Sequence, residues 1–526
     1  MLVRRHTLAV TALLMAVALA AALAWALADR GASHPLSAGR QARAIPGWRS
    51  GSLGRGTTHP SPAPAAPVTP APRATPPPQG RPASVSVALV HPGPTVPSGF
   101  LGLSFENAAL PRIATLAHTG ALTQLLRSLG HGSLRFGGIS ADTGVAWSPD
   151  GSVPRWASVA ISTRDLASVA ALVRSIGWKI LLTVNLGHYD PGEAAGEAAA
   201  AHALLGTDLA AIEIANEPDR FHAEGLRPAS WNFPRYEEQF DAYRNAIAQA
   251  APTVAFAAPD ASSGMPVLPW VRQAAQLHPA LLTDHYYPLT ACDNTPTVGE
   301  LLSGELRAGE SSMLSSLRAI QGSSAIPLRL DETNEISCKG QPGVSNTFAA
   351  ALWALDYICR AMAAGVQGVN FHDLLSRPDA YSPLVEAGDV LHANPEWYAL
   401  LMAQGLVGAS PLQATVHGAP DLTAAAFRRP DGSVQLVLVN FAAVSAGPLL
   451  VKVEIPGSFA GGSILRLTAP SPYATSHVKL GGHEVTRLGR WSAQLPLPTA
   501  YDAAGVQELA VPSASAALLT LTPAAR

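Results

Sequence analysis

The chain has 526 residues, 48% of them hydrophobic, and a formal net charge of −2 at pH 7. The apolar content supports a large core, and a charge near zero gives no electrostatic reason to expect nucleic acid or an anionic membrane surface as a partner. The length alone predicts more than one domain, although a single (β/α) barrel can occupy about 250 residues or more.

The first 29 residues have the features of an export signal. Arg4 and Arg5 precede an apolar run of roughly 21 residues, which is long enough to span a bilayer. The sequence Ala26-Leu27-Ala28 resembles a signal-peptidase site, so residues 1–29 are either a cleaved signal peptide or a retained signal anchor. Under both interpretations we expect the rest of the chain outside the cell, either secreted or tethered to the membrane through this segment.

Residues 30–83 are dominated by Pro, Ala, Gly and Thr, as in "THPSPAPAAPVTPAPRATPPPQGRPAS". Such a composition buries too little apolar surface to fold, so we expect a disordered linker. Residues 84–99 follow it and carry the extended stretch "SVSVALVHP". We expect this stretch to add a strand to the C-terminal domain described below.

Residues 100–408 alternate short β-rich runs with segments whose apolar residues recur at helical spacing. The predicted strands are 100–106, 133–138, 179–187, 210–217, 254–260, 281–288, 326–332 and 368–373. This repeat is typical of a closed parallel (β/α)8 barrel, in which a helix covers each strand. A doubly wound sheet is the alternative, but the sequence lacks the glycine-rich phosphate loop that such folds commonly carry.

Residues 409–526 change in character, with stretches such as "GSVQLVLVNFA" and "LLVKVEIPGSF" that alternate apolar and polar residues between turn signals. This pattern predicts a C-terminal antiparallel β-sandwich domain.

Two of the three cysteines, Cys292 and Cys338, follow predicted strands on what would be the same rim of the barrel. In an exported chain we expect them to form a disulfide. Cys359 lies in an apolar helical pattern and is expected to be a small core residue.

Two polar clusters interrupt apolar strands at the end where a barrel carries its reacting groups. "IEIANEPD" (212–219) places Asn216 and Glu217 after one strand, and "DETNE" (331–335) places Glu332 at the end of another. Two carboxylates facing each other across a barrel mouth suit glycosidic bond cleavage. Glu213 lies four residues before Glu217, about 13 Å deeper along the strand, and is expected to be a partner inside the barrel.

These segments also resemble a known family. "EIANEPDRF" is similar to the Asn-Glu-Pro signature of retaining (β/α)8 glycosidases, and "RLDETNEISCKGQPGVSNTFAAALWALDY" with "GVNFH" resembles glycoside hydrolase family 79, which contains β-glucuronidases and heparanase. The blocks "FLGLSFEN", "LRFGG" and "DHYYP" match that family in order, so the likeness covers the barrel and the domain that follows it.

The resemblance implies a double-displacement mechanism with retention, in which Glu217 is the acid/base and Glu332 the nucleophile, about 5 to 5.5 Å apart. It also implies that Asn216 binds the sugar 2-hydroxyl. The remaining substrate-binding candidates are polar residues at strand ends or in the loops that follow: Glu106, Asn107, Arg135, Asp142, His285 and Tyr287.

The loop after the nucleophile departs from the family pattern. Glucuronide-specific members carry a Tyr-Gly-Gly loop whose amides hold the sugar carboxylate, whereas this chain has "SCKGQPG". Gly340 and Gly343 could present amides, Lys339 a cation, and Tyr381, which comes after the eighth predicted strand, a hydroxyl. The sugar therefore stays open between glucuronic acid and the arabinofuranose or xylose of related enzymes.

Other chemistry finds little support in the sequence. The folded part has no G-x-S-x-G motif and no His/Cys/Glu cluster with zinc-like spacing, so we expect neither a metal nor an organic cofactor. The expected partner is a carbohydrate or glycoconjugate substrate. A surface protein that binds glycans without cleaving them is the alternative of another class, and the paired glutamates argue against it.

Overall fold

The computed structural model describes residues 80–388, 390–492, 497–499 and 506–524. The predicted leader at 1–29 and residues 30–79 of the predicted linker lie outside this part of the chain. Among the helices of the described residues, none is both long enough and apolar enough to cross a bilayer.

A closed barrel of eight parallel strands forms the centre of the molecule, and this confirms the predicted fold class. Each strand pairs with the next along the chain, and the last pairs with the first through Val369 and Leu101, which closes the ring. The strands are Leu101–Glu106 (β2), Ser133–Gly137 (β3), Lys179–Val184 (β4), Leu209–Ile214 (β5), Phe256–Ala261 (β6), Leu281–Tyr286 (β7), Leu328–Thr333 (β8) and Val369–Asp373 (β9); Arg81–Ala88 (β1) precedes them.

Helices surround the barrel and bury their apolar faces against it. The helix at 163–176 is delimited by its sequence: Ser162 and Asp165 form a capping box at its start, and Gly177 ends it with φ 72°. The helices are Leu110–Leu116, Ala121–Ser128, Ser140–Thr143, Thr163–Ile176, Pro191–Leu205, Phe233–Ala250, Leu268–Ala274, Val298–Leu301, Gly304–Ser324, Phe348–Ala364 and Pro395–Gln404.

The C-terminal domain is a mostly antiparallel sheet of ten strands that also contains β1. The strand at 410–417 pairs at its start with 422–428 and at its end with β1, so it joins two groups of strands, and side chains of both groups form one apolar cluster. β1 pairs in parallel with 449–454. The strands are Ser410–His417, Leu422–Arg428, Val434–Asn440, Leu449–Glu454, Phe459–Thr468, Lys479–Leu480, Leu497–Thr499, Val506–Val511 and Ser515–Pro523.

Three short pairs of strands lie outside the barrel sheet. Two of them are Val145–Trp147 with Val159–Ile161, and Leu384–Ala387 with Val390–Ala393. The third joins Leu289–Thr290 to Ile336–Ser337, in the loops that follow β7 and β8. This last pairing lies at the carboxyl ends of the strands and holds two loops of the candidate site together.

Candidate active site

A cavity of about 860 Å³ opens at the carboxyl ends of the barrel strands. Strand ends and the loops after them supply its walls, as expected for a closed parallel barrel. Seven of the catalytic and substrate-binding candidates from the sequence line it: Glu106, Asn216, Glu217, Tyr287, Glu332, Lys339 and Tyr381. His372, at the end of β9, lines it as well.

Glu332, near the end of β8, is held by two donors. Tyr287 Oη donates to its Oε1 at 2.8 Å, and Arg135 Nη1 donates to its Oε2 at 2.6 Å. Burial alone would raise the pKa of this carboxyl, but the charges of His372, His285 and Arg135 outweigh burial and lower the pKa to about 2. Glu332 is therefore ionised at any ordinary pH, which a carboxylate nucleophile requires.

Glu217 follows β5 on a turn rather than within the strand, which ends at Ile214, three residues before the end predicted from sequence. Ala215 has φ 81° and Glu217 has φ 47°, both in the left-handed region that non-glycine residues seldom adopt. Two contacts hold the turn: Glu217 N donates to Asp260 O at 2.8 Å, and Asn216 N donates to Asp142 Oδ2 at 2.7 Å. A strained turn that aims one carboxyl into a cavity is the kind of feature found at functional sites.

The pKa of Glu217 is shifted in the opposite direction from that of Glu332. Burial raises it, and the negative charges of Glu332 and Asp219 add to the effect, while His285 opposes them. A carboxyl with a raised pKa keeps its proton to higher pH and can act as a general acid.

His285, on β7, bridges Glu217 to the barrel interior. Its Nδ1 lies 3.0 Å from Glu217 Oε1, and its Nε2 lies 3.0 Å from Asp260 Oδ1. Burial lowers the pKa of this imidazole, but the charges of Glu332 and Asp260 raise it well above its ordinary value. We therefore assign a protonated ring that donates from both nitrogens.

One carboxylate oxygen of Glu217, one of Glu332 and a ring nitrogen of His285 lie within 4.8 Å of one another. Asp260, His285 and Asp331 form a second group of the same size below them. Both groups have the spacing of metal ligands. In each group His285 already makes a hydrogen bond to a carboxylate, to Glu217 in the first and to Asp260 in the second, so hydrogen bonding accounts for the same spacing.

Arg135, a predicted substrate-binding residue, is fully buried and is not among the residues that line the cavity. Its guanidinium donates to Asn216 Oδ1 at 2.9 Å and to Asp260 Oδ2 at 2.6 Å, in addition to Glu332. Its Nε donates to Glu213 at 3.0 Å, so the glutamate expected inside the barrel is a partner of this arginine. One cation thus connects Glu332, the side-chain amide of Asn216 and the interior carboxylates.

Two predicted substrate contacts face the protein backbone instead of the cavity. Asp142 accepts from the amides of Leu186 and Gly187 as well as from Asn216, and Asn107 Nδ2 donates to Thr183 O at 3.0 Å. Neither is among the residues that line the cavity. Their roles here are to position the strand ends that carry the site.

Only part of the loop "SCKGQPG" (337–343) lines the cavity. Lys339 and Tyr381 line the cavity, whereas Gly340 and Gly343 do not. At Gly340 a Cβ atom would lie 2.7 Å from Tyr381 N, so the absence of a side chain lets these two backbone segments approach. Gly343 N donates to Asn346 Oδ1 at 2.8 Å within its own loop.

Cys292 and Cys338 are joined by a disulfide, with Cα atoms 5.4 Å apart. Both line the cavity, and they connect the loops that follow β7 and β8. Cys359 is a buried free cysteine in the helix at 348–364.

Three residues in or beside the site are not among those predicted from the sequence. Asp260 ends the predicted strand "VAFAAPD" and so carries the same signal as Glu217 and Glu332. Arg220 and Glu224 line the cavity, but they follow Glu217 in a region with no strand signal, so only the folded chain reveals them.

Over about a third of its length the sequence is similar to those of curated β-glucuronidases. A β-glucuronidase of Aspergillus niger is 30% identical over 196 residues, which cover 33% of this chain and 36% of the relative. A β-glucuronidase of Neurospora crassa is 30% identical over 226 residues, or 38% of this chain and 37% of the relative. The chain thus spans about a third of the length of these curated relatives. No protein-family model matches the sequence.

Solved structures with the same fold cover most of the chain. A 4-O-α-L-rhamnosyl-β-D-glucuronidase of Fusarium oxysporum superposes with a TM-score of 0.68 at 18% identity, over 84% of this chain and 99% of that one. A family 51 arabinofuranosidase of Xanthomonas axonopodis gives 0.61 at 16% identity, over 84% and 100%. This likeness shows the fold, a (β/α)8 barrel with an attached β-domain. Within the matched region the sequence is similar to β-glucuronidases, in line with its resemblance to glycoside hydrolase family 79.

Proposed function

We propose that the protein is a retaining β-glycoside hydrolase of the β-glucuronidase type. The observation that carries the proposal is the pair Glu217 and Glu332, with carboxylate oxygens within 4.8 Å of each other in one cavity and pKa values shifted apart. Paired carboxylates about 5 to 5.5 Å apart are typical of retaining enzymes, whereas inverting enzymes need about 6.5 to 9.5 Å to admit a water molecule.

In this scheme Glu332 attacks the anomeric carbon while Glu217 gives its proton to the leaving oxygen. Formation of the glycosyl-enzyme removes the charge of Glu332, and with it one of the interactions that raise the pKa of Glu217. Glu217 can then act as base and take a proton from water, which attacks the same carbon and releases the sugar. Tyr287 and Arg135 hold Glu332 in place through their hydrogen bonds to it.

Asn216 is suited to bind the sugar 2-hydroxyl. Because Arg135 donates to its Oδ1, the amide is oriented with Nδ2 as the donor that is left for a ligand. An interaction with the 2-hydroxyl strengthens as the transition state forms, so this contact would contribute to rate more than to ground-state binding.

Two features support glucuronic acid as the sugar. The matched relatives are β-glucuronidases, and Lys339 and Tyr381 place a cation and a hydroxyl in the cavity where a sugar carboxylate can be bound. The family 51 arabinofuranosidase of the same fold supports a second candidate, in which the mechanism is kept and the sugar is a pentose.

We also propose that the enzyme is exported. The apolar segment at 1–29 would direct it across the membrane, and the disulfide between Cys292 and Cys338 belongs to an oxidising compartment. Fractionation of cells that produce the full chain, followed by N-terminal sequencing, distinguishes a cleaved signal from a retained anchor; a reduced protein in the cytoplasm would contradict export.

A panel of aryl glycosides tests the proposed activity. Wild type is expected to release the aryl group from the β-glucuronide, Glu332→Gln to be inactive, and Glu238→Gln, an exposed carboxylate on the helix at 233–250, to match wild type. A 2-fluoro glycoside of the preferred sugar should label Glu332, identified by mass spectrometry of peptides. Release from the arabinofuranoside instead would select the second candidate, and a wild type inert on every sugar would favour a glycan-binding protein.

A further inference from the structure

Arg220 and Glu224 form a charged pair inside the cavity that the double-displacement scheme does not use. Arg220 Nε lies 3.4 Å from Glu217 Oε2 and 3.3 Å from Glu224 Oε1. The side chain of Arg220 is 49% exposed and that of Glu224 is 16% exposed, and both line the cavity. The pair is thus open to a ligand and in contact with the acid/base.

The position of the pair indicates which half of a substrate it meets. Glu332, which attacks the sugar, is surrounded by Arg135, Tyr287 and His372. Arg220 contacts Glu217, the residue that protonates the leaving oxygen. Because the acid stands beside the leaving group, the pair lies on that side of the scissile bond.

The backbone that carries the pair is anchored. Trp231 Nε1 donates to Pro218 O at 2.7 Å, Ser262 N donates to Asp219 Oδ1 at 2.9 Å, and Glu224 N donates to Arg220 O at 3.0 Å. These contacts fix the segment after Glu217, so that the two charged side chains project from a rigid base. Preorganised groups of this kind bind with less loss of entropy than groups on a mobile loop.

The chemistry of the pair suits hydroxyl groups. A guanidinium offers several donors in a plane and a carboxylate offers acceptors, so adjacent hydroxyls of a sugar can accept from one and donate to the other. Burial and the charge of Glu217 raise the pKa of Glu224 to about 7, so near neutral pH its carboxyl can both accept and donate. The cavity, at about 860 Å³, is at the upper end of the range for sites that enclose drug-sized ligands.

We propose that Arg220 and Glu224 form a subsite for the leaving group and select a sugar there over a flat apolar aglycone. The proposal rests on the proposed hydrolase function and adds to it the class of leaving group. With Glu217 protonated, Arg220 is held less firmly by that carboxyl and is available to the hydroxyls of the leaving sugar.

Two substrates with the same glycon test the proposal: 4-nitrophenyl β-glucuronide, and a disaccharide of glucuronic acid β-linked to a hexose. If the aryl panel selects another sugar, that sugar replaces glucuronic acid in both. Arg220→Ala and Glu224→Gln are expected to lower kcat/KM on the disaccharide about ten- to a hundredfold, the loss expected for a hydrogen bond to a charged group. On the aryl glycoside the loss should be under about threefold, because the aryl group makes no such bond. Arg235→Ala is the matched control, since Arg235 pairs with Glu238 on an exposed helix surface.

Transfer to an acceptor gives a second readout that is independent of the first step. With the aryl glycoside as donor, wild type is expected to transfer the glycosyl group to an added free hexose, and Arg220→Ala is expected to release mainly the hydrolysis product. A variant that is merely misfolded would lose aryl hydrolysis too, which thermal unfolding would reveal.

Equal losses on the two substrates would assign the pair to tuning Glu217 and overturn the subsite, as would unchanged kinetics or a wild type that cleaves only the aryl glycoside. A wild type inactive on both substrates would instead remove the hydrolase function itself.

Discussion

A carboxylate oxygen of Glu217 lies within 4.8 Å of one of Glu332, yet the two groups have pKa values shifted in opposite directions. Burial raises the pKa of Glu217, whereas neighbouring cations outweigh burial at Glu332 and lower its pKa to about 2. Two equivalent carboxyls this close would share one proton and titrate as a pair. Here the difference is set by what surrounds each carboxyl: His372 and Arg135 lie against Glu332, whereas at Glu217 burial outweighs the opposing effect of His285. This asymmetry is what the proposed roles require, with Glu217 as the acid and Glu332 as the nucleophile.

The pH profile of kcat/KM should show this asymmetry. The ascending limb follows ionisation of Glu332, with its pKa of about 2, and the descending limb follows loss of the Glu217 proton above the ordinary value of 4.5. Because the charge of His372 is the largest of the effects that lower the Glu332 pKa, His372→Gln is expected to move the ascending limb to higher pH. Activity measured in steps from pH 2 to 9 checks this, since the wild-type limb lies at the lower edge of that range and the variant limb should lie inside it. A variant profile identical to wild type would refute the prediction.

Glu217→Ala should affect substrates unequally. Loss of a general acid costs about 10²- to 10⁴-fold where the leaving group needs protonation, and much less where it departs as a stable phenolate. Azide should restore part of the activity by occupying the space of the lost carboxylate and attacking the glycosyl-enzyme. Steady-state rates on a series of aryl leaving groups measure both effects, and equal losses across the series would reassign the residue.

Arg135→Met is expected to destabilise the fold by about 3 to 5 kcal/mol, because it leaves buried carboxylates without their cation. Urea unfolding measures the change. Burial raises the pKa of Asp260, but the charges of Arg135 and His285 outweigh burial and lower that pKa. In wild type the ionised Asp260 therefore stabilises the fold at pH values above its pKa in the unfolded chain, and this stabilisation is lost as the pH falls.

Without Arg135 the carboxylates Glu213, Asp260 and Asp331 should take up protons more readily. The difference in stability between variant and wild type should therefore narrow as the pH falls. A difference that is constant with pH would show that lost packing, not charge, explains the effect.

The sequence predicts the barrel well because each strand is an apolar run that ends on a polar group or a turn. This pattern identifies Glu217 and Glu332, although the strand before Glu217 ends earlier than its alternating pattern predicts. The pattern continues to residue 217, but positive φ values at Ala215 and Glu217 take the chain out of the strand. The alternation of apolar and polar residues shows which side chains are suited to burial. It carries little information about a local change of backbone conformation.

Two residues predicted to contact substrate have their side-chain directions set by close packing between segments that are distant in sequence. In the sequence Asp142 has the pattern of a polar residue near the rim of the barrel. In the structure Gly187 packs so close to it that a Cβ atom at position 187 would lie 2.1 Å from Asp142 O, and the Asp142 carboxylate accepts from the Gly187 amide. Asn107 is likewise turned to Thr183 O. Such contacts are set by packing between strands and have no local sequence signal.

Glu197→Gln should make stability less dependent on pH. Glu197 is buried in the helix at 191–205, its Oε1 has no hydrogen-bond partner among the described residues, and burial, with the charge of Glu193, raises its pKa to about 8. The folded state then holds a proton that the unfolded state releases near 4.5, so stability falls as pH rises from 4.5 to 8, at up to about 1.4 kcal/mol per pH unit. Urea unfolding at pH 5 and pH 9 should show a smaller decline in the variant, with Glu238→Gln declining like wild type. An equal decline in the Glu197 variant would place the cause elsewhere.

Reduction of the disulfide should affect both stability and the cavity. The bond between Cys292 and Cys338 closes a loop with a sequence separation of 46. A loop of that size corresponds to about 4 kcal/mol in the chain-entropy relation. It also ties together the loops after β7 and β8, which carry Tyr287 and Lys339 into the cavity, so KM should rise along with the loss of stability. Thermal unfolding and kinetics with and without a reductant measure both changes.

The double variant Cys292→Ser, Cys338→Ser is the control, because Cys359 is then the one thiol left. Added reductant should have no further effect on it, and a response there would assign the change to another group.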